Sequence, residues 1–344
     1  MRRGWVASTS SPPPHDGDGL PEVVFGTNEA ISDEHAPLFE YHGDGTPVAG
    51  WPVRMWGYTT DVLPVVGEGM PEAPAVADLD GDGVPEVIAH SIGGAVSVFS
   101  PDGETVLETD TSRSTYGAGS NVGDSAVLPL INSPSVGDVD GDGTLDIVTG
   151  ATGIGYMLGG LARGERVDFD QMVAAWSGVD GSFLAGWPRV VDDLPFFLNP
   201  AIGDIDGDRA MEVIAGTRGG LAHAWSGDGE QPSGWPKLVG GWVIASPAIG
   251  DITGDGVLDV VLGTRDGYLF AWTTASPGGA SVAWAQFGHD PMHTKDSRTP
   301  LVGYNAGYPY DDAPPPGCGC SSGGAAGWWS GFVVAAALVA RRRR

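Results

Sequence analysis

A nine-residue acidic loop recurs five times in this 344-residue chain, each time between the same kinds of neighbours. Four copies align without gaps. They are Ala73-Pro-Ala-Val-Ala-Asp-Leu-Asp-Gly-Asp-Gly-Val-Pro-Glu86, Ser133-Pro-Ser-Val-Gly-Asp-Val-Asp-Gly-Asp-Gly-Thr-Leu-Asp146, Asn199-Pro-Ala-Ile-Gly-Asp-Ile-Asp-Gly-Asp-Arg-Ala-Met-Glu212 and Ser246-Pro-Ala-Ile-Gly-Asp-Ile-Thr-Gly-Asp-Gly-Val-Leu-Asp259. A truncated copy, Pro14-His-Asp-Gly-Asp-Gly-Leu-Pro-Glu22, precedes them. The loops begin at residues 14, 78, 138, 204 and 251, so successive copies lie 64, 60, 66 and 47 residues apart. A repeat of that length is one supersecondary unit, which buries its apolar face only by stacking on its neighbours.

Each loop runs into a short β-branched stretch: 23–26, 87–89, 147–150, 213–216 and 260–263. A second alternating stretch follows, as in Ala95–Phe99 and Leu221–Trp225, and several copies then show a Gly-Asp-Gly hairpin turn. Three copies close with Gly-Trp-Pro, at 50–52, 186–188 and 234–236. No stretch of the body holds a helical period. The pattern predicts an all-β chain, a β-propeller of about five four-stranded blades over residues 14–310. Recurrence at one place per repeat assigns Trp51, Trp187 and Trp235 to packing between blades rather than to a sugar-binding surface. The segment Trp284–Thr294, with two histidines and an aspartate, reads as blade-end packing, and His223 as an outward polar residue on a strand.

Composition narrows the function classes. The chain carries 17 Lys plus Arg against 44 Asp plus Glu, a formal charge of −27, and a field of that sign repels phosphate backbones. Nucleic acid is excluded as a partner. Gly (56) and Pro (27) are abundant, yet 41% hydrophobic residues and 12 tryptophans supply a core. Cys318 and Cys320 are the two cysteines, so no disulfide framework holds the body.

The loops themselves have calcium chemistry. Calcium takes six to eight hard oxygens, and alternate residues of a curled loop point inward. Asp at positions 1, 3 and 5, a carbonyl at 7 and a carboxylate at 9 supply them, while Gly at 6 permits the positive φ of the turn. The second copy is complete, with Asp78, Asp80, Asp82, the Val84 carbonyl and Glu86; so is the third, with Asp138, Asp140, Asp142, Thr144 and Asp146. The fourth has Asp204, Asp206, Asp208 and Glu212, but Arg209 replaces the glycine. The fifth keeps Asp251, Asp255 and Asp259 with Thr253 at position 3, and the first keeps Asp16, Asp18 and Glu22 behind Pro14. The second and third sites are expected to bind best and the first worst. An EF-hand would need flanking helices and Glu at position 12, whereas these loops run directly into strands.

The loops and their Pro-Ala-Val-Gly lead-ins resemble the FG-GAP/VCBS repeats of integrin-α-like calcium-binding propellers over about residues 14–300. That resemblance implies typically seven blades with calcium in hairpin loops on one face. The five copies then mean either an incomplete seven-bladed ring or an unusually small one. Residues 311–322 form a Pro/Gly/Ser linker, and 323–344 an uncharged stretch ending in Arg341–Arg344. This tail resembles the MYXO-CTERM sorting signal, which implies export, membrane anchoring through a C-terminal hydrophobic helix, and processing near Cys318 or Cys320 by a sorting protease at a myxobacterium-like cell surface. Residues 1–13 read as irregular: they lack the apolar core of a secretory signal and stand where the strand leading into the first loop belongs. One cause, an N-terminally incomplete chain or a misplaced start, would account for both.

No Gly-x-Ser-x-Gly, His-Glu-x-x-His or Gly-Lys phosphate motif is present. The leading expectation is a non-enzymatic calcium-binding propeller on the cell surface, mediating adhesion by binding a protein or glycan. The alternative is a secreted propeller enzyme such as a polysaccharide lyase, or its accessory propeller, against which stands the presence of only Lys237 and Lys295 as lysines. A quinone-dependent dehydrogenase would usually carry a cysteine pair in the body.

Overall fold

A β-branched run directly after a tight loop has no local partners for its backbone N–H and C=O groups, so it must pair laterally. In the computed structural model this happens once per loop, in five small antiparallel sheets. The structure describes residues 6–11, 20–27, 38–55, 70, 72–91, 94–123, 126–129, 131–153, 170–195, 197–277 and 280–301.

Sheet one holds β1 (Val6–Ser11), β2 (Glu22–Thr27) and β3 (Leu38–His42). Sheet two is β4 (Ala75–Ala77), β5 (Glu86–His90), β6 (Val96–Phe99) and β7 (Thr105–Glu108) in that order. Sheet three comprises β8 (Val127–Leu128), β9 (Ser135–Gly137), β10 (Asp146–Gly153), β11 (Gln171–Ser177) and β12 (Arg189–Val190). Sheet four comprises β13 (Ala201–Gly203), β14 (Glu212–Gly216), β15 (Leu221–Trp225) and β16 (Lys237–Leu238). Sheet five has β17 (Ala248–Gly250), β18 (Val257–Gly263) and β19 (Leu269–Pro277), while β20 (Val282–Trp284) returns to pair with β13. Among the described residues the helix content is one 3-10 turn, Arg113–Thr115. The sheets therefore have three to five strands rather than a uniform four. The Gly-Trp-Pro segments end in two-residue strands in sheets three and four (β12, β16) and in a single bridge, Leu38 to Val53, in sheet one, while β8 and β20 are the added strands of sheets three and four.

The lead-in strands β4, β9, β13 and β17 lie side by side in chain order. Side chains of each second strand then alternate between the two seams. Val87 and Ala89 of β5 pack with Trp51 of sheet one, whereas Ile88 packs toward sheet three. Val213 and Ala215 face sheet three and Ile214 faces sheet five. Sheet one has no such neighbour on its leading side among the described residues, and there Val23 is 38% exposed.

The tryptophans sit in the seams. Trp51 Nε1 donates to the Pro101 carbonyl of the next sheet at 2.9 Å, and Trp187 Nε1 to that of Gly227 at 2.9 Å. Their rings lie 6.0 Å from Phe99 and 5.9 Å from Trp225, and Trp235 stands 6.0 Å from Trp272 in the same way. All three Trp-Pro peptide bonds are cis. Gly186 has φ +84°, and a Cβ there would lie 1.8 Å from the Asp228 carbonyl oxygen, so the corner admits only glycine.

The segment from β20 to Thr299 crosses the lead-in strands and ties them. Ile249 N–H donates to the Ala285 carbonyl (2.8 Å) and Val76 N–H to that of Lys295 (2.8 Å). Asn199 Oδ1 accepts from Trp284 Nε1 (3.0 Å) and Gly288 N–H (2.9 Å), so one side chain anchors this segment to sheet four. Lys295 is buried and donates to Ser133 Oγ at 2.8 Å; burial pushes its amine down to about 8, and the charge of Glu72 opposes that.

Two sequence readings change. Val6–Ser11 is not irregular: it pairs with β2, Ser11 opposite Glu22. In the second repeat Ala77 opposes Glu86, so the first loop is two residues longer, which hides its strand from an alignment anchored on the acidic motif. His223 is buried rather than outward, stacked 5.0 Å from Trp225. Its Nε2 lies 2.9 Å from Asp192 Oδ1 and its Nδ1 3.0 Å from Gln231 Nε2. The linker and tail, with Cys318 and Cys320, lie outside the described residues; among those described, no helix is long and apolar enough to cross a membrane.

Candidate metal centres

Loops two to five are each held by their own carboxylates in a fixed order. The position-1 aspartate accepts from the N–H at position 6: Asp78 from Gly83 (3.0 Å), Asp138 from Gly143 (3.2 Å), Asp204 from Arg209 (3.2 Å) and Asp251 from Gly256 (2.8 Å). Position 3 accepts from position 5: Asp80 from Asp82, Asp140 from Asp142, Asp206 from Asp208. Position 5 accepts from position 7: Asp82 from Val84, Asp142 from Thr144, Asp208 from Ala210 and Asp255 from Val257. The carboxylate at position 9, already on the second strand, accepts from position 2: Glu86 from Leu79 (2.8 Å), Asp146 from Val139 (2.8 Å), Glu212 from Ile205 (2.9 Å) and Asp259 from Ile252 (3.0 Å).

This wiring gathers positions 1, 3 and 9. Carboxylate oxygens of Asp78, Asp80 and Glu86 all lie within 4.8 Å of one another, as do those of Asp138, Asp140 and Asp146, and of Asp204, Asp206 and Glu212. Asp82, Asp142 and Asp208 stand outside these clusters, engaged with the turn. The fifth loop forms no such trio, Thr253 occupying position 3. In the first loop Asp16 and Asp18 lie outside the described residues; Glu22 is fully buried, 3.8 Å from His42 Nδ1.

What separates the loops is the second oxygen of position 1. Asp78 Oδ1 and Asp138 Oδ1 are buried and have no hydrogen-bond partner. In the fourth loop the corresponding Asp204 Oδ1 accepts from Gly207 N–H at 2.7 Å. In the fifth, Asp251 Oδ1 takes Gly254 N–H at 2.6 Å and Asp255 N–H at 3.2 Å. A buried anionic oxygen without a partner is costly, and a cation among three carboxylates is what would satisfy it. All the gathered donors are hard oxygens, the set calcium prefers. The residues fit the ion in loops two and three. Electrostatics agree: burial, followed by the charges of Asp80, Asp78 and Asp82, pushes Glu86 up to about 7. Burial likewise raises Asp146 and Glu212 to about 7. The fourth loop also carries strain, since Arg209 has φ +82° where the other copies have glycine.

Position 2 does a second task that the motif does not advertise. While its N–H serves the position-9 carboxylate, its side chain or carbonyl meets the next sheet. A Cβ on Gly178 would lie 3.0 Å from Leu79 Cδ2, and one on Gly227 2.3 Å from the Val139 carbonyl oxygen. Ala275 N–H donates to the Ile205 carbonyl at 3.3 Å. Leu79, Val139 and Ile205 are buried accordingly. An aliphatic residue between the first two aspartates of every well-formed loop was the available signal.

Repeat-family profiles match three stretches of the chain. The FG-GAP-like repeat profile matches residues 15–89 and 204–262, and the FG-GAP repeat profile matches residues 131–156. These segments are thus similar to FG-GAP-type repeats. No curated protein matches the chain. Among solved structures it is similar to the V. cholerae biofilm matrix protein Bap1 at 17% identity and TM-score 0.43, over 82% of this chain and 41% of that one. It is also similar to BamB from Moraxella catarrhalis (13% identity, TM-score 0.31, 73% of this chain and 69% of that one). A europium-containing methanol dehydrogenase is similar at 14% identity and TM-score 0.37, over 76% of this chain and 50% of that one. The chain thus spans less than half the length of Bap1.

Proposed function

We propose that the chain is a calcium-braced propeller module without enzymatic activity that is displayed at the cell surface and binds a protein or glycan partner. The observation that carries the calcium assignment is the pair of buried, partnerless oxygens, Asp78 Oδ1 and Asp138 Oδ1, each inside a trio of carboxylates. Millimolar free calcium, as found outside cells, suits loops of moderate charge like these. The FG-GAP-type repeats and the excess of acidic side chains support an exported binding module rather than a nucleic-acid partner.

In this reading Asp78, Asp80 and Glu86 hold one ion and Asp138, Asp140 and Asp146 another, with the Val84 and Thr144 carbonyls completing the shells. The ions stiffen the seams between sheets, and the partner binds the resulting rigid surface. The sequence of the tail supports a membrane anchor at 323–344 that a sorting protease removes near Cys318 or Cys320. Calorimetric titration of the full chain with Ca²⁺, followed by glycan-array and pull-down screens in calcium and in chelator, tests the reading. Two sites that fill at millimolar calcium and a calcium-dependent partner are expected. Absence of calcium binding would sink it.

A further inference from the structure

On the side of the molecule away from the metal loops, sheets four and five repeat a second motif, Gly216-Thr-Arg-Gly-Gly220 and Gly263-Thr-Arg-Asp-Gly267. Both turns follow the strands that begin at Glu212 and Val257, so they lie roughly 13 Å or more from the position-9 carboxylates. Between them stands Trp242. Its own carbonyl accepts from Arg265 N–H at 2.7 Å, and the next residue, Val243, donates to the Thr217 carbonyl at 3.1 Å. The tryptophan is thereby fastened to both turns. Both turns are themselves pinned, Thr217 Oγ1 donating to Asp192 at 2.6 Å and Thr264 N–H to the Tyr268 carbonyl at 2.9 Å.

The arginines converge on this residue. The guanidinium carbons of Arg218 and Arg265 lie 5.8 and 5.0 Å from the Trp242 ring centroid, which puts them within about 11 Å of each other. Stacking on an aromatic face leaves the in-plane N–H fork of a guanidinium available for a carboxylate or sulfate. Arg218 has Asp193 at 3.9 Å, with side chains 57% and 38% exposed, a pair that solvent screens and a ligand can replace. Arg265 forms no ion pair with any described residue. Beside the second turn, Tyr268 and Leu269 are 67% and 65% exposed, offering flat apolar surface next to the cations. In a chain of charge −27 the acidic loops would repel an anion, yet at physiological salt their field decays over about 8 Å, short of this site.

We propose that Arg218, Trp242, Arg265 and Tyr268 form a binding site for an acidic polysaccharide, the guanidinium groups taking its anionic groups and the exposed ring its sugar faces. This rests on the glycan-binding reading above. The exposed aromatic and aliphatic surface favours a sugar chain over an acidic peptide, which offers no C–H face of that kind.

The test uses the full chain with calcium present and four immobilised probes: polygalacturonate, chondroitin sulfate, neutral dextran and poly-glutamate. Retention on one or both acidic polysaccharides, and not on dextran, is expected; the two arms distinguish carboxylate from sulfate. The double variant R218A/R265A should weaken retention about tenfold with an unchanged melting temperature, and R265K should recover part of it. Y268A should weaken polysaccharide binding while leaving the calcium stoichiometry intact. Equal retention on poly-glutamate, or no retention on either acidic polysaccharide, overturns the proposal. If a glycan is held but the double variant binds it as well as wild type does, this site is refuted while the binding-module reading stands.

Discussion

Removing the cation from loops two and three should loosen the whole stack, and the size of the effect can be worked from the loops. Each trio of carboxylates sits within 4.8 Å, with one position-1 oxygen buried and unsatisfied. Calcium that binds only the folded state adds RT ln(1 + [L]/Kd), about 2.7 kcal/mol per site at a hundredfold excess over Kd. Two such sites give about 5 kcal/mol. For a chain of this size that corresponds to a fall in Tm of about 7 °C on chelation. Scanning calorimetry of the full chain in calcium and in chelator measures it, with titration giving the stoichiometry. Asp138→Asn, which keeps the size of the side chain, should remove one ion and about half of the shift. Asp251→Asn should remove none, because both oxygens of Asp251 are already taken by the N–H groups of Gly254, Asp255 and Gly256. A Tm that moves by less than about 1 °C on chelation, or equal losses from D138N and D251N, would refute the reasoning.

Three further outcomes follow from single residues. Arg209→Gly relieves a positive-φ side chain and should raise stability by about 1 kcal/mol in denaturant melts. Trp187→Ala, which empties a fully buried site and removes the bond to Gly227, should cost about 3–5 kcal/mol, and the part-exposed Trp235→Ala clearly less; similar costs would contradict the seam assignment. Burial holds the folded Lys295 amine at about 8, below the ordinary lysine value of 10.5, so the unfolded chain binds more protons between those values. Stability of the wild type relative to K295M should therefore rise with pH across that window, by up to about 3 kcal/mol, and stay flat below it.

Much of this was legible because the repeat carries its own reading frame. Four gap-free copies fixed where strands begin, which carboxylates share a loop and which loops are degenerate. The alternation of Val, Ile and Ala after each loop also carried the two seams of each sheet. Legibility failed where the physics is non-local. Asp204 Oδ1 turns to Gly207 N–H although Arg209 keeps the positive φ of its glycine counterparts, and a side-chain rotation of that kind is not encoded in the motif. His223 sits in an alternating strand like an outward residue, but Asp192, 31 residues earlier, and Gln231, from the following turn, close over it. The first strand was missed because its loop is two residues longer, and β20 because it pairs with a strand about 80 residues earlier.

The position-2 residue explains why a surface metal site should govern the interior at all. Its amide holds the position-9 carboxylate, a ligand of the proposed calcium site, while the rest of the residue is wedged against the following sheet. Leu79 meets Gly178, Val139 meets Gly227 and Ile205 meets Ala275, so loops two, three and four each stand at a seam. The fifth loop has no sheet after it among the described residues, and there the same position, Ile252, is 46% exposed. A stack in which each unit touches only its neighbours melts seam by seam. Losing the ion of loop three should therefore expose the contact between sheets three and four before any other, and hydrogen exchange should register it first at the amides of Val139 and Trp187. Protection lost evenly across all five sheets on chelation would mean that the ions act on the loops alone and that the wedge transmits nothing.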